Sequence, residues 1–301
     1  MKQAVIDIGS NSMRLTVYQA GDVGRFRILF KDKIMAGLAG YVEDGSLTDE
    51  GIAQAGLGLL AFRRTLEALD IHQVAVFATA SLRNIKNTDA AVAAIEGAAG
   101  FPIEVISGEE EARFGYAGAM EELDLSEGLF VDIGGASTEV VSFSGGRLVS
   151  AASCPVGSLK LYRDHVKKIL PNREAVGQME GAIRQATAGA VRETPGTGLP
   201  LVCVGGTARA ALKLTRRIFH LPQNANRISR RQLAKVCSIL CSSQREAAHW
   251  ILKVEPERIH TMIPGLLILR HMVETFGARE MVVSQYGVRE GYLCQKLWKA
   301  S

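Results

Sequence analysis

The sequence lacks the long apolar stretches and the leader composition that mark membrane and secreted proteins. It contains no run of about 18 apolar residues, the length that a membrane-spanning helix requires. The N-terminal MKQAVIDIGS has one basic residue, and an aspartate interrupts its short apolar run, so it does not resemble a secretory signal. We therefore expect a cytoplasmic protein without a membrane segment.

Cysteine is sparse, and histidine forms no cluster. The five cysteines are scattered and odd in number, which fits a reduced compartment better than a disulfide framework. Cys237 and Cys241 lie one helical turn apart, but no histidine or carboxylate joins them at metal-ligand spacing, so a zinc site is not expected. None of the six histidines lies in a motif, and no Ser-His-Asp or Cys-His arrangement stands out.

The composition is that of a folded, globular chain. With 301 residues there is room for two ordinary domains, and 47% hydrophobic with 22% charged residues gives no sign of disorder. The formal net charge of +4 is too small to identify a partner by itself.

Two segments are near copies of each other. VIDIGSNSMRL (5–15) and FVDIGGASTEV (130–140) each contain an apolar run, an aspartate, a glycine turn, a hydroxyl residue and a second apolar run. This pattern predicts two β-hairpins. Alternating strands and helices follow each hairpin, which predicts an internal duplication of an α/β domain with a ligand cleft between the copies.

The pattern of apolar residues and caps predicts the individual elements. Strands are expected at 4–8, 14–19, 26–30, 74–80, 103–106, 129–133, 138–143, 201–204 and 281–284. Helices are expected at 48–69, 88–100, 107–122, 156–170, 173–192, 207–218, 229–241, 245–253 and 287–298.

Three turns have the composition of phosphate-binding loops, because glycines and small hydroxyl residues expose backbone N–H groups to an anion. They comprise Gly9, Ser10, Asn11 and Ser12; Gly134, Gly135, Ala136 and Ser137; and Gly205, Gly206 and Thr207. One such turn alone would suit an ordinary hairpin. Three in one chain, two of them near copies, favour phosphate binding.

Carboxylates stand beside these turns, where they would repel a phosphate. A divalent cation with oxygen ligands removes the conflict, and Mg²⁺ is the usual partner of phosphates. Asp132 precedes the second turn and Glu139 follows it, so both are candidate ligands of the metal or its waters, and Asp7 is a third candidate.

The motifs resemble those of the exopolyphosphatase/guanosine pentaphosphate phosphohydrolase (Ppx/GppA) family, within the acetate and sugar kinase/Hsp70/actin superfamily. The matching segments are DIGSNSMRL (7–15), FATASLRN (77–84), ISGEEEARFGY (106–116), VDIGGASTEV (131–140), VGGTARA (204–210) and SQYGVREG (284–291). The resemblance implies an α/β fold of two duplicated RNase H-like, actin-like ATPase domains that face each other across a cleft. Domain I would span 1–120, with a C-terminal helix at 286–301 packing back on it, and domain II would span 121–285. Only these two domains and a homodimer are expected.

The resemblance also implies an activity and residue roles. The expected enzyme is a phosphoanhydride hydrolase that uses Mg²⁺ or Mn²⁺ and releases terminal orthophosphate from inorganic polyphosphate. The alternative substrate is guanosine pentaphosphate, trimmed to the tetraphosphate. Glu111 would be the general base that activates water, and Arg83 would contact a substrate phosphate. Arg14 is a further candidate of that kind, whereas Glu109 and Glu110 fit ordinary helix-start chemistry.

Two other function classes stay open at this point. A phosphotransferase acting on ADP is disfavoured by ISGEEEAR, which the kinases of the superfamily do not share. A non-catalytic phosphate or alarmone sensor is disfavoured because Glu111 and both hairpin turns are intact.

Positive charge is concentrated in residues 209–235, which contain eight Lys or Arg and no acid. Four of these residues, which we call the 216–231 stripe, could guide a long polyanion: Arg216, Arg217, Arg230 and Arg231. A solvated helix face is the alternative. Nucleic acid is a less suitable partner, because Phe219 is the segment's one aromatic residue.

One position departs from the family pattern. The second turn reads GGAST, with Ala136 where the family commonly has a third glycine. Since alanine disfavours a positive φ, we expect a slightly altered approach of phosphate there.

Overall fold

The structure is a computed structural model, and it describes residues 2–21, 26–190 and 196–298. Within these ranges, no helix has the length and apolar content to cross a bilayer. The contacts divide the chain into two compact units. The first comprises Met1–Glu111 and Tyr292–Ser301, and the second comprises Ala112–Gly291. The domain bounds given above, at 120/121 and 285/286, stay a prediction.

The first unit is built on a five-stranded sheet in the order β3-β2-β1-β6-β7. Its strands are β1 (Lys2–Ile8), β2 (Met13–Ala20), β3 (Phe26–Ile34), β4 (Val42–Glu43), β5 (Ser46–Leu47), β6 (Val74–Ala78) and β7 (Ile103–Val105), of which β4 and β5 form a separate pair. Its helices are α1 (Asp49–Ala68), α2 (Ala80–Arg83), α3 (Thr88–Ala99) and the start of α4 (Gly108–Met120). A 3-10 turn spans Leu38–Tyr41.

The second unit is built on a six-stranded sheet in the order β10-β9-β8-β11-β13-β12. Its strands are β8 (Gly128–Ile133), β9 (Thr138–Ser144), β10 (Arg147–Cys154), β11 (Leu201–Val204), β12 (Arg227–Ser229) and β13 (Glu280–Val283). Its helices are α5 (Ser158–His165), α6 (Arg173–Thr187), α7 (Gly205–Phe219), α8 (Arg230–Ser242), α9 (Gln244–Val254), α10 (Met262–Thr275) and α11 (Val288–Tyr292). A 3-10 turn spans Pro256–Arg258, and a π-helical segment, Leu293–Trp298, follows α11.

The two sheets share one arrangement. In each, three antiparallel strands are followed by two parallel ones: β3-β2-β1 with β6 and β7, and β10-β9-β8 with β11 and β13. The second sheet adds β12 at its edge, antiparallel to β13. This repetition confirms the internal duplication that the two copied segments predict.

Most predicted elements are present, and their caps explain where they begin. Thr48 accepts a hydrogen bond from the Gly51 N–H at 3.2 Å, with Asp49 and Glu50 in the first turn of α1. A side-chain acceptor and acidic residues both stabilise a helix N-terminus. The same predicted signals, a cap followed by acids, therefore place the start of α1 correctly.

Three predicted helices have different bounds in the structure. The helix expected at 156–170 ends at His165, and the chain from Val166 reaches Pro171 without regular structure. The helix expected at 173–192 ends at Thr187, and residues 191 and 192 lie outside the described ranges. The helix expected from 207 begins two residues earlier, at Gly205, so the third glycine turn is the first turn of α7.

Helix α10 is the main element that the sequence pattern did not reveal. Eight successive residues, Met262–Leu269, are buried. A helix buried on almost every face has no polar side, so it lacks the 3.6-residue period by which an amphipathic helix is found.

Helices α4 and α11 approach each other at backbone distance. A side chain at Gly118 would collide with the Gly287 carbonyl, and a side chain at Gly291 would collide with the Phe114 carbonyl. Glycine is required at both positions because the backbones themselves are in contact. The segments ISGEEEARFGY and SQYGVREG therefore meet in the fold, although they are far apart in sequence.

Candidate phosphate-binding and catalytic site

The turn of the first hairpin presents backbone donors on one side. The Gly9 N–H donates to the Ser12 carbonyl at 3.2 Å. The carbonyls of Ser10 and Asn11 accept from the N–H groups of residues 39 and 37 at 2.9 and 3.0 Å. Within the described part of the chain, the N–H groups of residues 10–12 have no acceptor. A row of unpaired N–H groups in a half-buried turn can bind an anion.

The turn of the second hairpin shares one hydrogen bond with the first: the Gly134 N–H donates to the Ser137 carbonyl at 3.0 Å. The carbonyls of Gly134 and Gly135 accept from the N–H groups at the start of α5, so the outer contacts of the two turns differ. Over the ranges that the structure describes, the N–H groups of residues 135–137 find no acceptor. The two copied segments therefore share the bond that closes the turn and the unpaired N–H groups.

Ala136 does not strain the second turn. Among the described non-glycine residues, positive φ occurs at Asp44, Asp70 and His220. Ala136 is therefore not in the left-handed region, and the backbone penalty on which the expectation rested does not arise. The altered approach of phosphate itself stays a prediction. The environment of Ala136 is nevertheless tight, because a side chain at Gly157 would come within 2.5 Å of the Ala136 nitrogen.

The third glycine turn, at the start of α7, lies against the carboxylate that ends β8. Gly205 has φ +79°, and a side chain there would collide with Asp132 Oδ1. Thr207 is buried, and its hydroxyl donates to the Ile133 carbonyl at 3.3 Å. Gly205 thus lets the helix N-terminus approach Asp132, and Thr207 ties the third turn to the second hairpin.

Arg258 is a residue of this region that sequence reasoning missed. Its guanidinium lies against Gly206 so closely that any side chain at position 206 would overlap it. Burial lowers the pKa of Arg258, and the nearby Glu255 and Glu257 act in the opposite direction. An arginine remains charged under such conditions, so the third turn has a cation beside its backbone donors. No local pattern marks Arg258, which lies on a 3-10 turn some fifty residues further along the chain.

The two hairpins differ in the residue opposite the aspartate. Asp132 is the cross-strand partner of Glu139, whereas Asp7 is the cross-strand partner of Arg14. Directly opposed residues of an antiparallel pair project on the same face, with Cβ atoms about 5 Å apart. The second hairpin therefore places two carboxylates side by side, and the first places a carboxylate beside a guanidinium.

The pair of carboxylates is set among buried groups. Glu139 is 1% exposed, and Ser153 Oγ donates to its Oε1 at 2.8 Å. Burial and, second, the charge of Glu139 raise the pKa of Cys154 to about 11. Burial and the charge of Asp132 raise the pKa of Cys203 well above its ordinary value. Both thiols are therefore neutral at physiological pH, and oxygen ligands are the ones that Mg²⁺ prefers.

This donor set fits Mg²⁺ better than a metal that the protein encloses completely. Among the described residues, no group of three or more His, Cys, Asp or Glu side chains could hold an ion. Mg²⁺ commonly takes one or two carboxylates, several waters and phosphate oxygens of the substrate. Asp132 and Glu139 supply such a pair, whereas Asp7 has Arg14 as its cross-strand partner.

In the first unit, the structure brings Arg83 and Glu111 together. Arg83 Nη1 donates to Glu111 Oε2 at 2.8 Å and to the Ile106 carbonyl at 3.0 Å. Glu111 is 8% exposed. The short helix α2 that carries Arg83 is held at the first hairpin, because Ser81 Oγ donates to the Ile8 carbonyl, directly before Gly9, at 2.5 Å. A guanidinium at this distance stabilises the negative charge of the carboxylate.

The neighbouring glutamates have different tasks. Ser107 and Glu110 form the predicted capping box: the Glu110 N–H donates to Ser107 Oγ at 3.1 Å, and the Ser107 N–H donates to Glu110 Oε2 at 2.8 Å. The hydrogen bond from the Ser107 N–H lowers the pKa of Glu110. Glu110 therefore stabilises the start of α4, while Glu111 faces Arg83.

Not every arginine of the 216–231 stripe is available to bind an anion. Arg216 donates through Nε and Nη2 to the Ala225 carbonyl, at 2.8 and 2.6 Å, so its guanidinium closes a loop. Two other basic residues of the 209–235 segment are paired: Lys213 forms an ion pair with Glu255, and Arg227 forms one with Glu280. The other three members, Arg217, Arg230 and Arg231, are exposed.

The candidate residues are thus distributed over both units. The first unit carries Asp7, Gly9, Ser10, Asn11, Ser12, Arg14, Arg83 and Glu111. The second unit carries Asp132, Gly134, Gly135, Ala136, Ser137, Glu139, Gly205, Gly206, Thr207 and Arg258.

Comparison with known proteins agrees with this arrangement. A model of the Ppx/GppA phosphatase family matches residues 16–300. The chain is similar to the crystal structure of the Aquifex aeolicus member of the Ppx/GppA protein family, at 26% identity and a TM-score of 0.81, covering 100% of this chain and 99% of that one. It also has the fold of an exopolyphosphatase from Cytophaga hutchinsonii, at 20% identity and a TM-score of 0.85, covering 97% of this chain and 96% of that one. These likenesses confirm the predicted fold class of duplicated actin-like α/β units.

Proposed function

The chain belongs to the Ppx/GppA phosphatase family and is therefore a phosphoanhydride hydrolase, and we propose that it removes terminal orthophosphate from inorganic polyphosphate. The observation that carries the proposal is the pair formed by Arg83 and Glu111, held at 2.8 Å in the unit that also contains the first anion-binding turn. The guanidinium stabilises the ionised carboxylate, which is the form that a general base requires, and it adds a cation for a phosphate.

The phosphate groups of the substrate are bound mainly by backbone donors within each unit. The unpaired N–H groups of residues 10–12 in the first unit and 135–137 in the second supply donors that need no reorganisation. Fixed donors stabilise the charge that spreads over the equatorial oxygens during phosphoryl transfer. Arg83 adds a guanidinium, which stays charged and fits a phosphate oxygen pair.

Glu111 acts as the general base. Its ionised carboxylate accepts a proton from the attacking water as the water oxygen forms a bond to the terminal phosphorus. The bridging P–O bond breaks on the opposite side, and its electron pair stays with the shortened chain. Orthophosphate then leaves, and Glu111 returns its proton to the solvent.

Asp132 and Glu139 hold the metal in this proposal, with Asp7 as the further candidate. Mg²⁺ or Mn²⁺ bound there would supply positive charge that screens the phosphate oxygens from the carboxylates. The chain's own contribution is to orient these carboxylates. Ser153 donates a hydrogen bond to Glu139, and the absence of a side chain at Gly205 leaves room for Asp132.

Guanosine pentaphosphate, trimmed to the tetraphosphate, is the second candidate substrate. Arg258 favours it, because a second, half-buried arginine beside the third turn suits a substrate that bears phosphate groups at two separate places. Polyphosphate remains the first choice, since a linear anion needs no pocket for a base.

Phosphate release measured in parallel on long-chain polyphosphate, tripolyphosphate and guanosine pentaphosphate, with Mg²⁺, tests the proposal. We expect release from polyphosphate, and its loss in Glu111→Gln. Release from guanosine pentaphosphate alone would transfer the assignment to the second candidate. Binding of these anions without any turnover would contradict hydrolysis.

A further inference from the structure

We propose that α5 and the segment after it bind the distant phosphates of long polyphosphate chains, and so favour long chains over short ones. The α5 surface is defined here by Lys160, Lys167 and Lys168, with Arg163 beside them. The proposal rests on the proposed function and adds a second contact region for the same substrate. It places the distal part of the chain on the second unit, next to the second phosphate-binding turn.

The α5 surface is fixed to that turn by hydrogen bonds. The N–H of Ser158 donates to the Gly134 carbonyl at 3.0 Å, and those of Leu159 and Lys160 donate to the Gly135 carbonyl at 2.9 Å. Ser158 Oγ adds a bond to the Gly134 carbonyl at 3.1 Å. No side chain fits at position 157, because its Cβ atom would lie 2.5 Å from the backbone of the turn at Gly135 and Ala136. Helix α5 therefore begins at the phosphate-binding turn and leads away from it.

The charge of this region is strongly positive. Residues 158–173 contain five Lys or Arg and one acid, Asp164. Lys167 and Lys168 are exposed, and neither forms an ion pair with any carboxylate of the described residues. Uncompensated amines raise the local concentration of an anion and strengthen its binding. The α5 surface is thus a site of attraction for a polyanion.

Open cavities on both sides of α5 leave room for a ligand. One, of about 430 Å³, is lined by Lys167, Lys168, His165 and the amides of Asn172 and Gln178, together with one acid, Glu174. The other, of about 420 Å³, is lined by Lys160 and Gln185 among others, together with one acid, Asp164. Amines and amides are donors that phosphate oxygens accept from. Donors outnumber acids in the first cavity, where Lys167 and Lys168 lie, so that cavity suits an anion better than the second.

The irregular segment after α5 is held in place by its own hydrogen bonds. Tyr162 donates its hydroxyl to the Lys168 carbonyl at 2.9 Å. Gln244 Nε2 donates to the carbonyls of Leu170 and Pro171 at 3.2 and 3.3 Å. Lys167 and Lys168 consequently have a fixed backbone position, so binding an anion there does not require the segment to be ordered first.

The length of α5 accounts for selection by chain length. Eight helical residues rise roughly 12 Å along the axis, at about 1.5 Å per residue. A tripolyphosphate bound in the second turn is too short to extend over that distance, whereas a long chain reaches Lys167 and Lys168. The 216–231 stripe is less suited to this task, because its Arg216 is committed to the Ala225 carbonyl.

The test is the double variant Lys167→Gln/Lys168→Gln, with the matched control Arg230→Gln/Arg231→Gln. Each removes two exposed positive charges from the second unit. For the α5 variant we expect KM for long-chain polyphosphate to rise on the order of five- to tenfold, since exposed ion pairs contribute modestly each, with little change for tripolyphosphate. We expect a smaller rise in the control. The difference should shrink as ionic strength increases.

Three results would overturn the proposal: no change with long chains, equal losses on long and short chains, or equal losses in the α5 variant and the control. The charge-conserving Lys167→Arg/Lys168→Arg should behave like the parent protein. If the parent hydrolyses no polyphosphate, the proposed function fails separately. Direct binding of long-chain polyphosphate then decides the matter, because weaker binding by the α5 variant supports the inference and unchanged binding contradicts it.

Discussion

Arg83 Nη1 lies 2.8 Å from Glu111 Oε2, and the same nitrogen also donates to the Ile106 carbonyl. This shared donor joins α2, which is held at the first hairpin, to the first turn of α4. The carboxylate proposed as the base is therefore oriented by the arginine proposed to bind phosphate. Changing either residue should affect both binding and chemistry, though in different proportions.

Replacing Glu111 by glutamine should abolish turnover and spare binding. The amide keeps the shape and a hydrogen-bonding oxygen for Arg83 but cannot accept a proton from water at neutral pH. We expect kcat to fall by a factor on the order of 100 or more, as measured by phosphate release. Glu110→Gln is the matched control, since glutamine also satisfies a capping box. Similar activities of the two variants would remove Glu111 from its role.

Replacing Arg83 by lysine should raise KM and lower kcat together. Lysine keeps the charge but lacks the planar fork that holds a carboxylate and a phosphate oxygen at once. We expect kcat/KM to decrease about tenfold or more, because hydrogen bonds between charged groups are the stronger ones. Steady-state kinetics at several pH values will show it. An unchanged kcat with a raised KM would limit Arg83 to substrate binding.

Replacing Asp132 by asparagine should weaken the response to Mg²⁺. Loss of one of two adjacent carboxylates lowers the affinity for a hard cation. We expect the Mg²⁺ concentration for half-maximal activity to rise on the order of tenfold. Asp164→Asn, an exposed acid on α5, serves as the control. A metal titration identical to that of the parent would contradict the proposed ligand.

Two alanine substitutions of glycine distinguish the cost of backbone strain from the cost of a collision with Asp132. Gly205 and Gly145 both have positive φ, at +79° and +58°, but a side chain meets Asp132 at the first and nothing within 4 Å at the second. Gly145→Ala should cost about 1 kcal/mol of unfolding free energy and leave activity intact. Gly205→Ala should cost more and also lower activity. Equal losses of stability, with activity kept in both, would show that the approach to Asp132 does not matter.

Alkaline pH should destabilise the protein through its buried thiols. Burial raises the pKa of Cys154 from near 9 to about 11, and that of Cys237 to about 12. Between pH 9 and the raised pKa, the thiol has lost its proton in the unfolded chain but keeps it in the folded one. The stability that comes from the neutral thiol is therefore complete below pH 9 and is lost as the pH rises through the raised pKa. Each thiol lowers the unfolding free energy by about 1.4 kcal/mol per pH unit in that window.

Denaturant unfolding between pH 8 and 11 measures this effect. The Cys154→Ala variant should show a shallower decline than the parent between pH 9 and 11. The two curves should run parallel below pH 8, where the thiol is neutral in both states. Identical slopes above pH 9 would mean that Cys154 ionises as easily in the folded protein as in the unfolded chain.

Local patterns predicted the hairpins, the caps and most of the strands because these depend on neighbouring residues. The turns at Gly9 and Gly134 have the expected form, and Ser107 with Glu110 forms the expected box. Helix α10 was not predicted, since burial on nearly every face removes the period. Its first turn also contains Pro264. Proline is compatible with the start of a helix, but in a sequence it usually indicates that a helix is interrupted.

The candidate site was predictable where it is encoded in motifs and not where it depends on tertiary placement. Arg258 reaches Gly206 from a distant 3-10 turn, and the Thr207 hydroxyl donates to the Ile133 carbonyl. Neither contact has a signature in sequence. The different cross-strand partners of Asp7 and Asp132 could have been found by aligning the two hairpins residue by residue.

That single difference, Arg14 in one hairpin and Glu139 in the other, shows how the two repeats have diverged from each other. A protein with two first hairpins would have no acidic pair, and one with two second hairpins would have an acidic pair in each unit. The two repeats have thus diverged in charge at this one position and are no longer interchangeable. A variant that carries the same hairpin twice should lose the capacity that the other hairpin supplies.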